Sequence, residues 1–199
     1  AGLRAAGQHS GCHYSVFAHM PGLKTVVPST PYDAKGLLIS AIRDPDPVIF
    51  FHHKFLFGIR GEVPEGNYTI PLGVADIKRT GKDVTVVAIG RMVHTALEAA
   101  EKLSKDGMDL EVIDLRTLSP LDHKTVLESV KRTHRLVVID EDNPRCSMAC
   151  DIIALVCTRA FDEMDAPPRM VTAPHTPVPF SPPLEDYYIP SVEKIVSAV

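Results

Sequence analysis

The second half of the sequence alternates short apolar runs with longer amphipathic stretches, and this alternation restricts the fold more than any other feature. VTVVAIG at 84–90 is a nearly continuous apolar run, which is typical of a strand buried on both faces. A helical period of apolar residues follows at about 93–106. Strands separated by single helices predict an α/β fold, with a mostly parallel sheet and helices on both faces. The further predicted strands are 110–115, 135–140 and 169–172.

Glycine and polar residues mark the ends of the predicted helices. Gly107 ends the first helix, because glycine readily adopts the left-handed conformation that often follows a helix. Asp122, Ser147 and Ser191 each stand where a side-chain oxygen can cap a helix N-terminus. These three residues therefore predict the starts of the remaining helices.

The first part of the chain is predicted as a portion of another α/β unit. KTVVP at 24–28 is predicted as a short strand, and Ser29 or Thr30 can cap the helix that follows it. VIFFHH at 48–53 is the next predicted strand. Glycine and proline interrupt every apolar run in 58–74, which we interpret as a linker. The predicted organisation is residues 1–57, a linker at 58–74, and an independently folding domain at 75–199.

The start of the chain has the composition of an internal loop. It begins AGLRAAGQHS, without an initiating Met. We therefore expect an N-terminal portion to be missing, so that the strands at 24–28 and 48–53 lack neighbours. Exposed strand edges promote association. The prediction is that 1–57 is mobile, proteolysed or sheltered by a partner.

Composition excludes several classes of function. The chain has 21 basic and 25 acidic residues, a net charge of -4, and no basic stripe of the kind that nucleic acid requires. No apolar run reaches the length of about 18 residues that suggests a membrane span, and no signal peptide is evident. Four cysteines without a CxxC pair are typical of reduced thiols, and we expect a cytoplasmic protein.

Two patterns that could bind a cofactor or metal are weak. The turn after 84–90 has one glycine, Gly90, where a dinucleotide fingerprint needs three, so an ordinary turn is favoured. Cys146, Cys150 and Cys157 fall on one predicted helix, where two could share a face. Because no histidine lies within a turn of them, we interpret them as buried small hydrophobic residues rather than zinc ligands.

Polar groups at strand ends give two more candidates. Asp140, Glu141 and Asp142 close a predicted strand, at the edge where ligands of open α/β sheets gather. A solvated loop or a helix-capping role is favoured for them over ligand binding. His52 and His53 are adjacent, so on a strand they would face opposite sides and could not both reach one ligand.

The most informative local group is Gln8-His9-Ser10. It follows a loop of small residues, which permits the close approach of a ligand or of another backbone. A histidine there could donate or accept a proton near neutral pH. An exposed loop histidine without a role is the alternative, and the residues alone favour that alternative.

Long segments of the chain resemble a known family. They are GQHS at 7–10, FAHMPGLKTVVPSTPYDAKGLLISAIRDPDPVIFF at 17–51, VTVVAIGRMVHTALEAAEKL within 84–103, and DAPPRMVTAPHTPVPFSPPLEDYYIPSVEKIV at the end. The chain resembles the beta subunits of thiamine-diphosphate-dependent pyruvate, branched-chain 2-oxo acid and acetoin dehydrogenases over essentially its whole length. DEDNPRCSMACDIIALV looks most like the acetoin type.

The resemblance implies a fold and an assembly. The expected fold is a transketolase C-terminal-domain-like α/β domain, preceded by a partial pyrimidine-binding domain. The family's enzymes are α2β2 tetramers in which the alpha subunit mainly holds thiamine diphosphate and Mg²⁺. The resemblance also implies pairing with a second beta subunit and docking to a lipoyl acyltransferase core. The beta-subunit glutamate that activates the cofactor would precede residue 1, which puts catalysis by the isolated chain in doubt.

Few site residues carry over from the family. His9 matches its active-site histidine near the thiazolium. Ala41, Ile42, Asp44 and Asp46 match a loop that in some relatives holds K⁺, largely through backbone carbonyls. The expected activity is cleavage of acetoin with acetyl transfer to a lipoyl group. Pyruvate or branched-chain 2-oxo acid dehydrogenation is the alternative within the class, and a non-catalytic dimerisation or core-docking module is the alternative outside it.

Overall fold

A computed structural model describes all residues, 1–199, and its main feature is a five-stranded sheet. The strand order is β3-β5-β4-β7-β8. Four of these strands are those predicted from the sequence. The bounds are β3 Asp76–Arg79, β4 Val84–Ala88, β5 Leu110–Asp114, β7 Leu136–Asp140 and β8 Arg169–Thr172.

The pairing of this sheet confirms the predicted α/β fold. β4 lies parallel to β5 and to β7, with Val84 opposite Leu110 and Thr85 opposite Leu136. β8 extends the sheet in parallel beyond β7. Only β3, at the other edge, is antiparallel. The sequence did not predict β3, because its residues, DIKR, carry a single apolar side chain and no alternation.

Helices cover both faces of the sheet, as predicted. Val86 packs in a core with Met92 and Ile195 on one face, whereas its neighbour Val87 packs with Val130 on the other. Successive side chains of a strand point to opposite faces, so a buried strand needs apolar residues at every position. The helices are α4 Met92–Ser104, α5 His123–Thr133, α6 Met148–Arg159, α7 Pro182–Tyr188 and α8 Val192–Ala198. No helix is long and apolar enough to cross a membrane.

The predicted helix caps are present. The side chain of Asp122 accepts a hydrogen bond from the Thr125 amide at 3.0 Å. Ser147 and Ser191 cap α6 and α8 in the same way. Gly107 has φ +84° after α4, the left-handed conformation expected there. The caps could be predicted from the sequence because a cap depends on only three or four consecutive residues.

The first part of the chain forms a three-stranded sheet of order β2-β1-β6. β1 pairs in parallel with β2, and it pairs antiparallel with β6, which comes from the second half of the chain. The expectation that the strand at 24–28 lacks neighbours is therefore wrong, since β1 is paired on both sides. The elements are α1 Ala6–Ser10, α2 Tyr14–Ala18, β1 Lys24–Val26, α3 Pro31–Arg43, β2 Val48–Phe50 and β6 Thr117–Ser119.

The helix after β1 starts as predicted, but the second strand is shorter than expected. Thr30, not Ser29, caps α3, because its side chain accepts from the Asp33 amide at 3.1 Å. β2 ends at Phe50, and a 3-10 helix follows at Lys54–Gly58. The chain leaves the strand before its two histidines, so those histidines do not lie on opposite strand faces.

A partly buried charged cluster joins the two parts of the chain. Asp33 of α3 lies 2.8 Å from the Lys78 ammonium and 2.7 Å from the Arg116 guanidinium. Ser29 donates to Asp114 at the end of β5, at 2.5 Å. Burial raises the pKa of Asp114 to about 6, against the hydrogen bond from Ser29 and the charge of Lys78, which lower it. We call this group, with Asp76, the interface cluster.

Candidate active site

A small pocket lies where the loop and helix of residues 9–14 meet residues 51–54 and the end of β7. Its cavity volume is about 140 Å³. Val27, Phe51 and Leu3 give it apolar walls, and Glu141 contributes a carboxylate. A mostly apolar concave site with a few convergent polar groups is typical of small-molecule binding. We refer to it as the His9 pocket.

His9 stands at the rim of this pocket. It lies in the last turn of α1 and is exposed, and its ring forms a hydrogen bond with the Gln8 side chain, at 3.3 Å. Its backbone carbonyl accepts a hydrogen bond from the Lys54 ammonium, also at 3.3 Å. The imidazole thus has no buried partner that would compete with a ligand. Its role at the reacting atoms remains a prediction.

Ser10, the next residue, is buried at the pocket wall. Its relative exposure is 4%, and its hydroxyl has no hydrogen-bond partner. Buried polar atoms in folded proteins are almost always hydrogen-bonded. The sequence pointed to the Gln8-His9-Ser10 group but predicted no role for Ser10. A hydroxyl without a hydrogen-bond partner cannot be recognised from the sequence, because its partners come from distant segments.

The acidic residues 140–142 are all buried, so their interpretation as a solvated loop is wrong. Asp140 accepts from the Tyr14 hydroxyl and from the amides of Asp142, at 2.9 Å, and Ala149, at 3.3 Å. The last contact lies in the first turn of α6, so the helix-capping part of the interpretation is confirmed. Burial raises the pKa of Asp140 to about 6, although the hydrogen bonds from Tyr14 and the two amides lower it.

Glu141 forms a close pair with His53. The imidazole Nε2 lies 3.0 and 3.1 Å from the two carboxylate oxygens. The Phe55 amide donates to Nδ1 of the same ring at 3.2 Å, which places the proton on Nε2. Burial alone would raise the pKa of Glu141, whereas the hydrogen bond from His53 lowers it. Glu141 therefore contributes a carboxylate that is paired with His53 to the pocket wall.

The two adjacent histidines depart from the sequence interpretation. Both His52 and His53 line the His9 pocket, although they were expected to be unable to reach one ligand. The reason is that β2 ends before them, so strand alternation does not apply. The His52 ring also packs against Phe50, with 4.8 Å between the ring centroids.

Cys12 and Tyr14 form the inner wall of the pocket. Burial raises the pKa of the Cys12 thiol well above its ordinary value, and three nearby carboxylates raise it further. Burial likewise raises the pKa of the Tyr14 hydroxyl, which donates to Asp140. Because only the thiolate is a strong nucleophile, Cys12 is a packing group here rather than a reactive one.

The other three cysteines do not share one helix, and they are not buried small hydrophobic residues. Cys146 is exposed and precedes the cap of α6, with φ +54°. Cys150 and Cys157 lie on α6 and are half-buried. The helix starts later than the cysteine spacing suggested because Ser147 caps it. No group of three metal-binding side chains occurs in the structure.

The predicted cation loop lies at the end of α3. Ala41 and Ile42 are in the last helical turn, and Asp44 follows it. The Lys24 ammonium lies 2.6 Å from Asp44 and 3.0 Å from Asp46. The hydrogen bond from Lys24 lowers the pKa of Asp44. Lys24 therefore pairs with both carboxylates of this loop and offsets part of their charge.

Comparison with known proteins gives two family matches. Residues 73–195 match the family described as Transketolase, C-terminal domain, and residues 1–60 match Transketolase, pyrimidine binding domain. Among solved structures, the chain is similar to "Split gene transketolase, inactive beta4 tetramer", with a TM-score of 0.78 and 22% identity, over 96% of this chain and 61% of that one. At that identity the likeness shows the fold alone.

Curated relatives are more similar to this chain in sequence than that solved structure is. The chain is 61% identical to "Acetoin:2,6-dichlorophenolindophenol oxidoreductase subunit beta" of Bacillus subtilis, over 99% of this chain and 58% of that protein. It is 62% identical to the protein of the same name from Cupriavidus necator, over 100% of this chain and 59% of that protein. Identity to "2-oxoisovalerate dehydrogenase subunit beta" of B. subtilis is 42%, over 100% of this chain and 61% of that protein. The chain thus spans about three-fifths of the length of these relatives.

Proposed function

The chain belongs to the transketolase C-terminal domain family, and on that premise we propose that it is part of the beta subunit of a thiamine-diphosphate-dependent acetoin dehydrogenase. The observation that carries this proposal is the difference in identity between relatives. It is 61–62% for two acetoin oxidoreductase subunits. It falls to 42% for the 2-oxoisovalerate dehydrogenase subunit and to 46–48% for two pyruvate dehydrogenase subunits.

The residues of the His9 pocket fit one end of thiamine diphosphate and not the other. Apolar walls and an imidazole suit a thiazolium ring and a small neutral substrate. A diphosphate with Mg²⁺ needs cations and oxygen ligands, whereas the pocket has one lysine at its rim and a buried carboxylate in its wall. We therefore assign the diphosphate and Mg²⁺ to the alpha subunit. When bound, the thiazolium supplies the carbon nucleophile that breaks the C–C bond of acetoin.

The chain's own residues handle protons and exclude water. The exposed imidazole of His9 accepts the proton from the substrate hydroxyl and returns a proton when the acetyl unit is transferred. Phe51 and Val27 keep water from the reacting atoms. The Glu141–His53 pair holds the wall in place, because both ring nitrogens are already engaged.

The assembly is proposed from the same premise. The partners are an alpha subunit, a second beta subunit and a lipoyl acyltransferase core. The side chains of Phe180, Leu184 and Tyr187, on and before α7, are 73%, 58% and 74% exposed. Three exposed apolar side chains within eight residues of sequence support a contact with another subunit. K⁺ would bind backbone carbonyls of the loop that contains Ala41, Ile42, Asp44 and Asp46. Residues 1–57 belong to the pyrimidine-binding domain, 58–74 to a linker and 75–199 to the C-terminal domain.

The test is a substrate panel on the reconstituted complex. The full-length beta subunit that carries this chain is co-expressed with its alpha subunit, and reduction of 2,6-dichlorophenolindophenol is followed with acetoin, pyruvate and 3-methyl-2-oxobutanoate. We expect the highest kcat/KM with acetoin. A preference for either 2-oxo acid would replace acetoin as the substrate. Failure to turn over any of the three, with no thiamine diphosphate binding by calorimetry, would favour the non-catalytic module.

A further inference from the structure

The segment 1–10, which carries His9, has a backbone conformation that its own sequence does not favour. Gly2 has φ +98°, and Arg4 and Ala6 have φ +58° and +59°. This left-handed conformation is unfavourable for residues with a Cβ, and it persists only where the surrounding structure imposes it. The helix that follows, α1, has five residues and is too short to be stable alone. Contacts with the rest of the molecule therefore hold this segment, which we call the His9 loop.

The start of the His9 loop is seated against the second half of the chain. Ala1 is buried in the same apolar core as Ile189. A Cβ added to Gly2 would lie 2.6 Å from Nη1 of Arg91 and 2.8 Å from Cε2 of Phe55. Gly2 is thus required for its close contacts as well as for its positive φ.

Glu185 of α7 supplies a buried hydrogen bond to this loop. Its side chain is fully buried, and its Oε1 accepts from the Gly2 amide at 2.5 Å. Its Oε2 has no hydrogen-bond partner. The neighbouring Asp186 pairs with Arg4 at 3.1 Å, but both of these side chains are more than half exposed, so their pair contributes little. Glu185 is therefore the stronger anchor of the two.

The burial of this carboxylate is not explained by the packing of α7. A buried carboxylate loses its bonds to water, and the single amide that it meets replaces few of them. Tyr188 and Ile189, on the same side of the molecule, pack in the apolar core, where an apolar side chain at 185 would fit better. Gly2 is also buried and lies outside any helix or strand, so its amide needs an acceptor from elsewhere. What the carboxylate provides is a fixed position for the His9 loop.

We propose that Glu185 is a positioning residue, whose carboxylate holds the Gly2 amide and thereby sets where His9 stands at the rim of its pocket. Without this bond, the left-handed residues Arg4 and Ala6 relax and move α1 with them. The inference rests on the proposed function, which gives His9 its role in proton transfer. Glu185 itself touches neither the pocket nor the reacting atoms.

The first test is Glu185→Met in the reconstituted complex. Methionine has a similar length, forms helices well and suits a buried site, so α7 stays packed. We expect kcat to fall about tenfold, because a displaced catalytic group loses rate. KM should change less than about twofold, because Glu185 does not contact the substrate. An unchanged kcat would refute the positioning role.

Glu185→Gln is the conservative variant. Its amide oxygen can still accept from the Gly2 amide, so kcat should stay within about twofold of wild type. A loss of kcat equal to that of Glu185→Met would refute the hydrogen bond as the cause.

A combination with His9→Ala separates positioning from general damage to the fold. If Glu185 acts through His9, Glu185→Met causes no further fall in kcat when His9 is already alanine, because the two residues act as one unit. Damage to the fold or to cofactor binding would instead multiply with the loss from His9→Ala. A further tenfold fall in the double variant would overturn the proposal.

Glu111→Met is the matched control for the loss of a buried carboxylate. Glu111 is 3% exposed and pairs with Arg132 rather than with the His9 loop. This variant should lower the urea midpoint of unfolding and leave kcat at the wild-type value. A fall in kcat equal to that of Glu185→Met would show that any buried glutamate matters equally, and the proposal would fail.

The loop side of the contact gives a second, independent pair of variants. Gly2→Ala places a Cβ against Arg91 and Phe55 and should lower kcat about as much as Glu185→Met. Gly22→Ala introduces the same kind of backbone strain, at φ +88°, but its Cβ meets nothing within 4 Å. It should leave kcat unchanged. Equal effects of the two alanine variants on kcat would contradict the role of the loop's seat.

Hydrogen exchange tests the inference without turnover. In the full-length beta subunit bound to its alpha subunit, Glu185→Met should speed exchange in peptides from residues 2–10 and leave β4 and β7 unchanged. Unchanged exchange in 2–10 would overturn the positioning role and leave the proposed function standing. If wild type prefers a 2-oxo acid, the proposed function fails, and the same comparison of kcat with that substrate decides the role of Glu185.

Discussion

Two strands of the main sheet end in the same way and yet serve different parts of the molecule. β5 ends in Val-Ile-Asp and β7 in Val-Ile-Asp, and both terminal aspartates, Asp114 and Asp140, are fully buried. Each accepts a hydrogen bond from a hydroxyl of the first part of the chain, from Ser29 and from Tyr14. Burial raises the pKa of both to about 6.

The difference lies in their surroundings. Asp114 belongs to the interface cluster, where the Lys78 ammonium lies 3.7 Å away and also contacts Asp33. Asp140 has neutral donors only, and it lies behind the wall of the His9 pocket. The comparison teaches that one local motif can anchor either a structural interface or a binding site. We therefore expect variants of the interface cluster to change stability and variants of the pocket to change activity.

The largest expected effect on the free energy of unfolding is for a variant of the interface cluster. Lys78→Met removes a cation from beside two buried carboxylates, and we expect a loss of about 3 kcal/mol, the lower end of the range for a broken buried pair, because the Arg116 guanidinium still contacts Asp33. Urea unfolding of the beta subunit measures it. Lys124→Met is the matched control, because Lys124 is 82% exposed and 3.8 Å from Glu128, where an ion pair contributes little. Equal losses for the two variants would refute the distinction.

The pH dependence of stability tests whether the two aspartates are equivalent. Each binds a proton more tightly in the folded protein than in the unfolded chain, whose ordinary value is 3.8. Each therefore makes the free energy of unfolding fall as pH rises from about 4 to about 6, by up to about 3 kcal/mol.

Asp114→Asn and Asp140→Asn should each reduce this fall, as measured by urea unfolding at several pH values. The double variant should nearly abolish it. If only one of the two single variants reduces the dependence of the unfolding free energy on pH, the two aspartates differ in charge state as well as in surroundings.

Variants of the His9 pocket should mainly change the rate of acetoin turnover. His9→Ala is expected to lower acetoin-dependent dye reduction by the reconstituted complex about a hundredfold, through loss of proton transfer. Its unfolding free energy should stay within about 0.5 kcal/mol of wild type, because His9 is exposed. His175→Ala, an exposed histidine outside the pocket, serves as the control. Undiminished activity in His9→Ala would remove it from the mechanism.

The smallest expected effect is on the free energy of unfolding, at Tyr14, which joins the His9 pocket to the end of β7. Tyr14→Phe deletes the hydroxyl that donates to Asp140 and leaves a buried carboxylate with one donor fewer. We expect a loss of about 2 kcal/mol in the free energy of unfolding. Asp140→Ala combined with Tyr14→Phe should cost less than the sum of the two single changes, since each of them removes the same hydrogen bond. Strict additivity in this double-mutant cycle would show that the hydrogen bond contributes nothing.

Much of the main sheet could be predicted because its signals are local. The continuous apolar runs of β4, β5 and β7 and the caps of their helices depend on short stretches of sequence. β6 was not predicted, because three residues, TLS, form a strand only by pairing with β1. The same holds for the end of β2, where the sequence VIFFHH continues the strand pattern but the chain turns into a 3-10 helix.

The amino-acid order alone determined the alternating α/β architecture, the starts of most helices and the identity of His9 as a candidate. Only the tertiary structure decided that residues 140–142 are buried, that His53 meets Glu141 across 88 positions, and that the Ser10 hydroxyl is left without a partner. The physical reason is that burial and hydrogen bonding arise between segments distant in sequence. A polar residue after a strand has the same local pattern whether water or another part of the chain covers it.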